Sequence, residues 1–174
     1  MGYAGKPPKT SGKVMADLNE SQLETLAQCE VFAGLSEQDL LQVAGLGALQ
    51  SFPKGALIIE ENTEGHELFV VLEGQVGIEV DRPKEVDSTF RLRLLGRSAC
   101  VGEIALLDES FRSASVRCNS QVSVLAIPHS SMLELCRNQP TLGLALMSNL
   151  GQILAVRLKE ANYQLRNLLS SLSF

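Results

Sequence analysis

The stretch HELFVVLEGQVGIEV, residues 66–80, decides how the middle of this chain is read. Two β-prone runs flank Glu73-Gly74, and Val76, Ile78 and Val80 alternate with Gln75, Gly77 and Glu79. Alternation with a period of two puts apolar side chains on one face of a strand, and a glycine between two such runs accepts the backbone angles of a tight turn. The pattern predicts a hairpin turning at Glu73-Gly74.

The same signature recurs on both sides. LQSFPKGALIIEE (49–61) places a Pro-Lys-Gly turn between two short β-prone runs. TFRLRLLG (89–96) alternates after the polar loop DRPKEVDS (81–88), and SASVRCNSQVSVLAIP (113–128) reads as two short strands around Asn119-Ser120. Short strands at close spacing, separated by turn residues, predict a small β-barrel or sandwich over 48–128.

Helical periods bracket this core. In DLNESQLETLAQ (17–28), Asp17 with Glu20 three residues on marks a helix start. In GLSEQDLLQVAGLG (34–47), Ser36 caps a helix, Leu40, Leu41 and Ala44 form its apolar side, and Gly45 or Gly47 ends it. HSSMLELCRNQP (129–140) predicts a short helix and TLGLALMSNLGQILAVRLKEANYQLRNLL (141–169) a long one. Along the latter, Leu150, Leu154, Leu158, Ala161, Leu165 and Leu168 form a near-heptad seam that suits core packing, a lid or a homodimer contact. Gly151 is a candidate hinge. Residues 1–15, rich in Gly, Pro, Lys and Ser, read as a flexible tail. The expected organisation is one domain over 16–174: helices 16–47, β-barrel 48–128 and C-terminal helices 129–170.

Composition narrows the function. Apolar residues make up 45% of the 174, enough for a packed core, and the net charge of −5 tells against broad nucleic-acid binding. A local basic patch from Arg91, Arg93 and Arg97 stays open. Cys29, Cys100, Cys118 and Cys136 show no CxxC spacing, so no zinc or iron–sulfur site is expected, and they read as free thiols of a cytoplasmic protein. The N-terminus has no secretory pattern, and no apolar stretch suggests a bilayer span or membrane contact. His66 and His129 are too few and too far apart for a metal barrel enzyme, and no nucleophilic triad can be assembled. No enzyme activity, cofactor or metal is expected.

VGEIALLDESFRSASV (101–116) carries the chemistry. Glu103 opens an apolar turn, Glu103–Leu107, whose backbone N–H groups favour an anion. Its carboxylate can accept hydrogen bonds from sugar hydroxyls. Arg112 presents a planar fork for two phosphate oxygens, and Ser113, Ala114 and Ser115 are small enough to let a ligand reach the backbone. An acid, an anion-favouring turn and an arginine at this spacing suit a compact sugar phosphate. Singly, each charge also has a plain structural use, in helix-dipole stabilisation or a salt bridge.

GEIALLDESFRSASV resembles the phosphate-binding cassette of the cyclic nucleotide-binding domain. That domain occurs in catabolite-activator-type regulators, protein kinase A regulatory subunits and nucleotide-gated channels. The family pattern, roughly G-E-[LIM]-A-L-[LI] and then P-R-[STA]-A-[ST]-V, is matched at Gly102, Glu103, Ile104, Ala105, Leu106, Leu107, Arg112, Ser113, Ala114, Ser115 and Val116. FPKGALIIEENTEGHELFVVLEGQVGI is similar to the family's first strands and VFAGLSEQDLLQVA to its N-terminal helix, so the likeness covers roughly 27–169. It implies a double-stranded β-helix, or jelly-roll, barrel with a short internal phosphate-binding helix and a cAMP or cGMP ligand. Glu103 would accept the ribose 2′-hydroxyl and Arg112 would pair with the cyclic phosphate. Gly102 would permit close approach. Ala105 and Ser113 would donate backbone N–H groups, with Ile104 and Ala114 completing the pocket. The long helix would close over the base or dimerise, with Arg157, Asn162 and Tyr163 as candidate base contacts. An effector, such as a transporter, kinase or enzyme, would be fused or docked, and no helix-turn-helix segment follows within this chain. The departures are Phe111 in place of the proline before the arginine, Val101 in place of a phenylalanine, and EENTEG in place of a glycine-rich turn. A pocket filled by Phe111 would instead make a degenerate docking or dimerisation module.

Overall fold

The computed structural model describes residues 18–81, 89–104, 107 and 111–171, with backbone alone at 81, 89–91 and 168. The 1–15 tail and Ala105 lie outside the described residues. Helix α1 (Glu20–Ala27), a short 3-10 helix (Glu30–Phe32) and helix α2 (Glu37–Leu46) precede eight strands. These are β1 (Ala48–Phe52), β2 (Leu57–Ile59), β3 (Glu67–Glu73), β4 (Val76–Asp81), β5 (Thr89–Leu95), β6 (Cys100–Val101), β7 (Ser115–Cys118) and β8 (Val122–Pro128). Helices α3 (His129–Asn138) and α4 (Pro140–Ser171) follow.

The strands form two four-stranded antiparallel sheets, ordered β1-β8-β3-β6 and β2-β7-β4-β5. Among the described residues no ladder hydrogen bonds close them into a continuous barrel, but the arrangement is the expected jelly-roll type. The expected hairpin at Glu73-Gly74 is not formed: β3 pairs with β6 and β8, whereas β4 pairs with β5 and β7. The turn instead carries the chain from one sheet to the other. Gly74 has φ +86°, and a Cβ there would lie 2.2 Å from the Gln121 carbonyl oxygen. Gln75 N–H donates to Ser120 Oγ at 3.0 Å, and Asn119 N–H to the Gln75 carbonyl at 2.8 Å. Two turns thus pack together where β3 leads into β4 and β7 into β8, each switching sheets. β4 and β5 are the one sequence-adjacent pair sharing a sheet.

This topology explains why LFVVL is an unbroken apolar run. Phe69 and Val71 face the space between the sheets with Val76, Val116 and Val124. Leu68, Val70 and Leu72 face the other way, onto the helices, with Leu125, Ile127, Phe32 and Leu146. A strand covered on both faces has no solvated side to alternate with.

The helix starts follow local chemistry. Asn19, not Asp17, caps α1, in a reciprocal capping box with Gln22. Ser36 caps α2 as expected, paired with Asp39, and Gly47 ends it. Val43 and Ala44 bury, Leu40 packs at the core edge, and Leu41 is half exposed because it points off the buried stripe. Helix α4 begins at Pro140, whose missing N–H costs nothing at a first turn. It buries Leu142, Leu146 and Leu150 at four-residue steps and runs uninterrupted through Gly151, so no hinge is formed there. The seam continues exposed: Leu158 and Leu165 lie on the surface. By length and composition alone α4 is apolar enough to cross a bilayer, contrary to the sequence expectation, although its first three turns sit in the domain core. Arg97 donates to the Ser21 carbonyl and hydroxyl and to Thr25, and Arg93 pairs with Glu160. The side chain of Arg91 is outside the described residues; Arg93 and Arg97 line one cavity together with Arg157.

Candidate functional site

The chain enters the site through β6. Val101 belongs to the inter-sheet core, and Gly102 then turns with φ +84°. A Cβ on Gly102 would lie 2.5 Å from Arg112 Nη1 and 2.8 Å from the Glu67 carbonyl, so only glycine fits there without displacement. The following turn has Leu107 N–H donating to the Ile104 carbonyl at 2.9 Å. Residues 105 and 106 of the expected Glu103–Leu107 helix lie outside the described residues.

Arg112 arrives from the opposite side and is 6% exposed. Its Nη2 donates to the Glu67 carbonyl at 2.7 Å and its Nη1 to the Gly102 carbonyl at 3.2 Å. Burial pushes its pKa below the usual value, and the charges of Glu67 and Glu103 push back. Among the described residues, no carboxylate lies within ion-pair distance of it. Among the described residues neutral carbonyls alone bond the guanidinium, which leaves the buried cation incompletely compensated and a ready partner for an anion.

EENTEG (60–65) holds this arginine in place, a role that sequence reading did not assign. Asn62, at φ +62°, donates its N–H to the Arg112 carbonyl at 2.9 Å, and Arg112 N–H donates to the Thr63 carbonyl at 2.9 Å. Glu61 N–H donates to Ser115 Oγ at 3.0 Å. A Cβ on Gly65 would lie 1.9 Å from Arg112 Nε. We therefore expect Gly65→Ala to displace the guanidinium and lower the melting temperature by several degrees, the scale of roughly 1–2 kcal/mol in a domain this size. Thermal denaturation monitored by circular dichroism checks this; an unchanged midpoint would mean that Gly65 is not the constraint.

Glu103 is 3% exposed and makes an ion pair with Arg157 of α4. Gly102, Glu103, Ile104, Arg112, Ser113 and Ala114 all line one cavity of about 210 Å³. Its apolar wall includes Ile59, Ile78, Leu95 and Val116. Phe111 lines the rim and is 62% exposed; it does not fill the space between the acid and the arginine. Of the three candidate base contacts, Arg157 reaches this cavity, whereas Asn162 and Tyr163 lie farther along the exposed part of α4 and do not line it.

His129, at the start of α3, is buried behind Arg112, and its Nε2 has no hydrogen-bond partner. Burial pushes its pKa down; Arg112, and less so His66, add to this, while the Gly102 and Glu67 carbonyls oppose it. An imidazole kept neutral in the fold binds fewer protons than one in the unfolded chain. Its stabilising contribution is complete above the ordinary value of about 6.5 and is lost as pH falls toward the lowered native value. The melting temperature should therefore fall on acidification below about pH 6.5, and less steeply in His129→Gln. Equal slopes for both proteins would remove His129 from the account.

The sequence over residues 49–139 matches the family model described as the cyclic nucleotide-binding domain. A Cyclic AMP receptor protein of Thermus thermophilus is 31% identical over 135 residues, covering 78% of this chain and 60% of that protein. Glutaminase 2 of Bradyrhizobium diazoefficiens is 30% identical over 79% of this chain but only 21% of its own length. The crystal structure of the Thermus thermophilus Catabolite Activator Protein superposes with a TM-score of 0.69 at 31% identity, covering 80% of this chain and 62% of that one. This chain thus spans about three fifths of one curated relative and one fifth of the other. The two-sheet fold, the cavity joining Glu103 to Arg112 and the match over 49–139 agree: this chain belongs to the cyclic nucleotide-binding domain family.

Proposed function

We propose that residues 16–174 form one cytoplasmic, non-enzymatic sensor domain that binds a cyclic purine nucleotide, cAMP in preference to cGMP, and reports occupancy through α4. The observation that carries this reading is the buried Arg112 guanidinium, held by two carbonyls and facing the same cavity as Glu103. A cyclic phosphate supplies the missing anion. Glu103 accepts the ribose 2′-hydroxyl, Gly102 lets the sugar approach, and Ala105 and Ser113 offer backbone N–H groups. Ile104, Ala114 and the apolar wall shape the remaining space. The cAMP preference rests on the receptor named among the relatives; Ser113 itself is compatible with either base.

The Glu103–Arg157 pair supplies a physical route for the report. A ribose hydroxyl that takes up a Glu103 oxygen changes the hold of Arg157, and with it the energy of one position of α4. The exposed Leu158, Leu165 and Leu169 offer α4 a second copy as partner, and the glutaminase relative suggests fusion or docking to an effector. Direct nucleic-acid contact is not part of this reading. Sedimentation with and without Leu158→Glu and Leu165→Glu tests the homodimer; a wild-type monomer at micromolar concentration would remove it.

Isothermal titration with cAMP and with cGMP tests the central claim. Binding at micromolar or tighter Kd with cAMP, and weaker with cGMP, is expected. No heat with either nucleotide at millimolar concentration would overturn the reading.

A further inference from the structure

A second cavity, of about 740 Å³, adjoins the one already described: Glu103 and Arg157 line both. Its other walls come from residues 28–33, from the connection between β5 and β6, and from α4. The volume is in the range that takes a small-molecule ligand. Three arginines, Arg93, Arg97 and Arg157, share the lining with three carboxylates, Glu30, Glu103 and Glu160. Two of the carboxylates are matched. Glu103 pairs with Arg157, and Glu160 lies 3.8 Å from Arg93 with both side chains 55% exposed, a contact worth little in water. Arg97 differs. It lines this cavity and not the nucleotide cavity, and among the described residues no carboxylate lies within ion-pair distance of it. Its Nη2 is fixed by neutral oxygens of α1, donating to the Ser21 carbonyl at 3.3 Å, to Ser21 Oγ at 3.2 Å and to Thr25 Oγ1. Its Nε and Nη1 have no acceptor among the described residues. A guanidinium tethered through one nitrogen holds its remaining donors in a fixed plane, which suits the oxygens of a phosphate.

We propose that this cavity is a second ligand site, which takes a polyphosphate, free or esterified to an organic body, with Arg97 as its principal cation. Arg93 joins it at little cost, because the contact it gives up with Glu160 is exposed and long. Several negative groups on one ligand answer several arginines on one wall better than a single anion does. Val31, Ile153 and Val156 supply apolar wall for an organic body. Glu30, an exposed acid at the start of the 3-10 helix, lines the same space and opposes the anion. Release of Arg157 by a nucleotide at Glu103 would add a third cation to the site. That link rests on the function proposed above; binding of a polyphosphate to the nucleotide-free protein does not.

The test is isothermal titration of the whole chain, free of cyclic nucleotide, with inorganic tripolyphosphate and separately with ATP. Saturable binding of both is expected. Tighter binding of ATP assigns the apolar wall to an organic body, and equal binding assigns the site to the polyphosphate alone. Arg97→Ala should weaken binding by roughly 10- to 100-fold, the scale of a lost charge-assisted contact. Glu30→Gln should tighten it by roughly 2- to 5-fold, the scale of one exposed charge. The second variant alters only an exposed side chain, so it reads the site even where loss of Arg97 loosens α1; melting curves follow the fold of both. No saturable heat with either probe at millimolar concentration would overturn the proposal, as would equal affinities in wild type, Arg97→Ala and Glu30→Gln. Binding lost in Arg112→Lys but kept in Arg97→Ala would also overturn it, by placing the anion in the nucleotide cavity. None of these outcomes depends on whether cAMP binds.

Discussion

Arg112→Lys is expected to weaken cyclic-nucleotide binding by roughly 10- to 100-fold, the scale of losing a charge-assisted, two-pronged contact. The charge is conserved in this variant, so a purely Coulombic site would tolerate it. The geometry does not. The guanidinium fork spans the Glu67 and Gly102 carbonyls, while Gly65 and Gly102 make room for its flat group. An ammonium cannot reach both carbonyls and a phosphate from one point. Isothermal titration of wild type and variant measures the loss, and the variant's melting curve shows that the fold persists. Equal affinities would mean that the anion is bound elsewhere.

Arg157→Ala should lower the stability of the ligand-free protein by ~1–3 kcal/mol. Removing one member of a buried pair can cost more, but the Arg157 side chain is 38% exposed and partly screened by solvent. The loss comes from Glu103, which is 3% exposed in the intact fold and loses its ion-pair partner. The same variant separates a merely structural pair from a coupled one. If a ribose hydroxyl replaces Arg157 at Glu103, the bound form loses less stability than the free form, so apparent affinity for cAMP rises in Arg157→Ala. If Arg157 stays paired in the complex, affinity is unchanged and α4 is not coupled through this contact. Thermal shift with and without cAMP distinguishes the two outcomes.

Much of the site was legible because it is local. Gly102 to Ser115 is one short segment, and the residue types that hold a phosphate and a sugar recur there at near-fixed spacing. The spacing does not reveal the cradle around Arg112. Gly65 and the Asn62–Thr63 backbone come from the turn before β3 and the Glu67 carbonyl from its first residue, some fifty residues earlier, and their contribution is backbone geometry that leaves little side-chain signature. His129 read as an isolated histidine because Arg112, whose charge acts on it, is distant in sequence. Arg157 was visible only as one polar residue among several on α4, and packing of that helix against the domain selected it over Asn162 and Tyr163.

The strands show the same division. The positions of seven of them and of their turns follow from alternation, glycine and proline, which act over a few residues; β6, two residues long, carries no such pattern. The pairing of the strands does not follow from these local signals. A turn at Glu73-Gly74 is compatible with a hairpin and with a crossover between sheets, and the choice rests on the contact of Gly74 and Gln75 with residues 119–121. By itself, the sequence determined the helix cap at Ser36, the succession of helices, β core and helices, and the acid and arginine of one compact segment, while the end of α2 stayed open between Gly45 and Gly47. Tertiary structure alone decided which sheet each strand joined, that Arg112 is buried between two carbonyls, and that Glu103 meets Arg157, 54 residues away. Those features depend on distant chain segments meeting in a packed core, where burial strengthens each charge and close packing removes alternative placements.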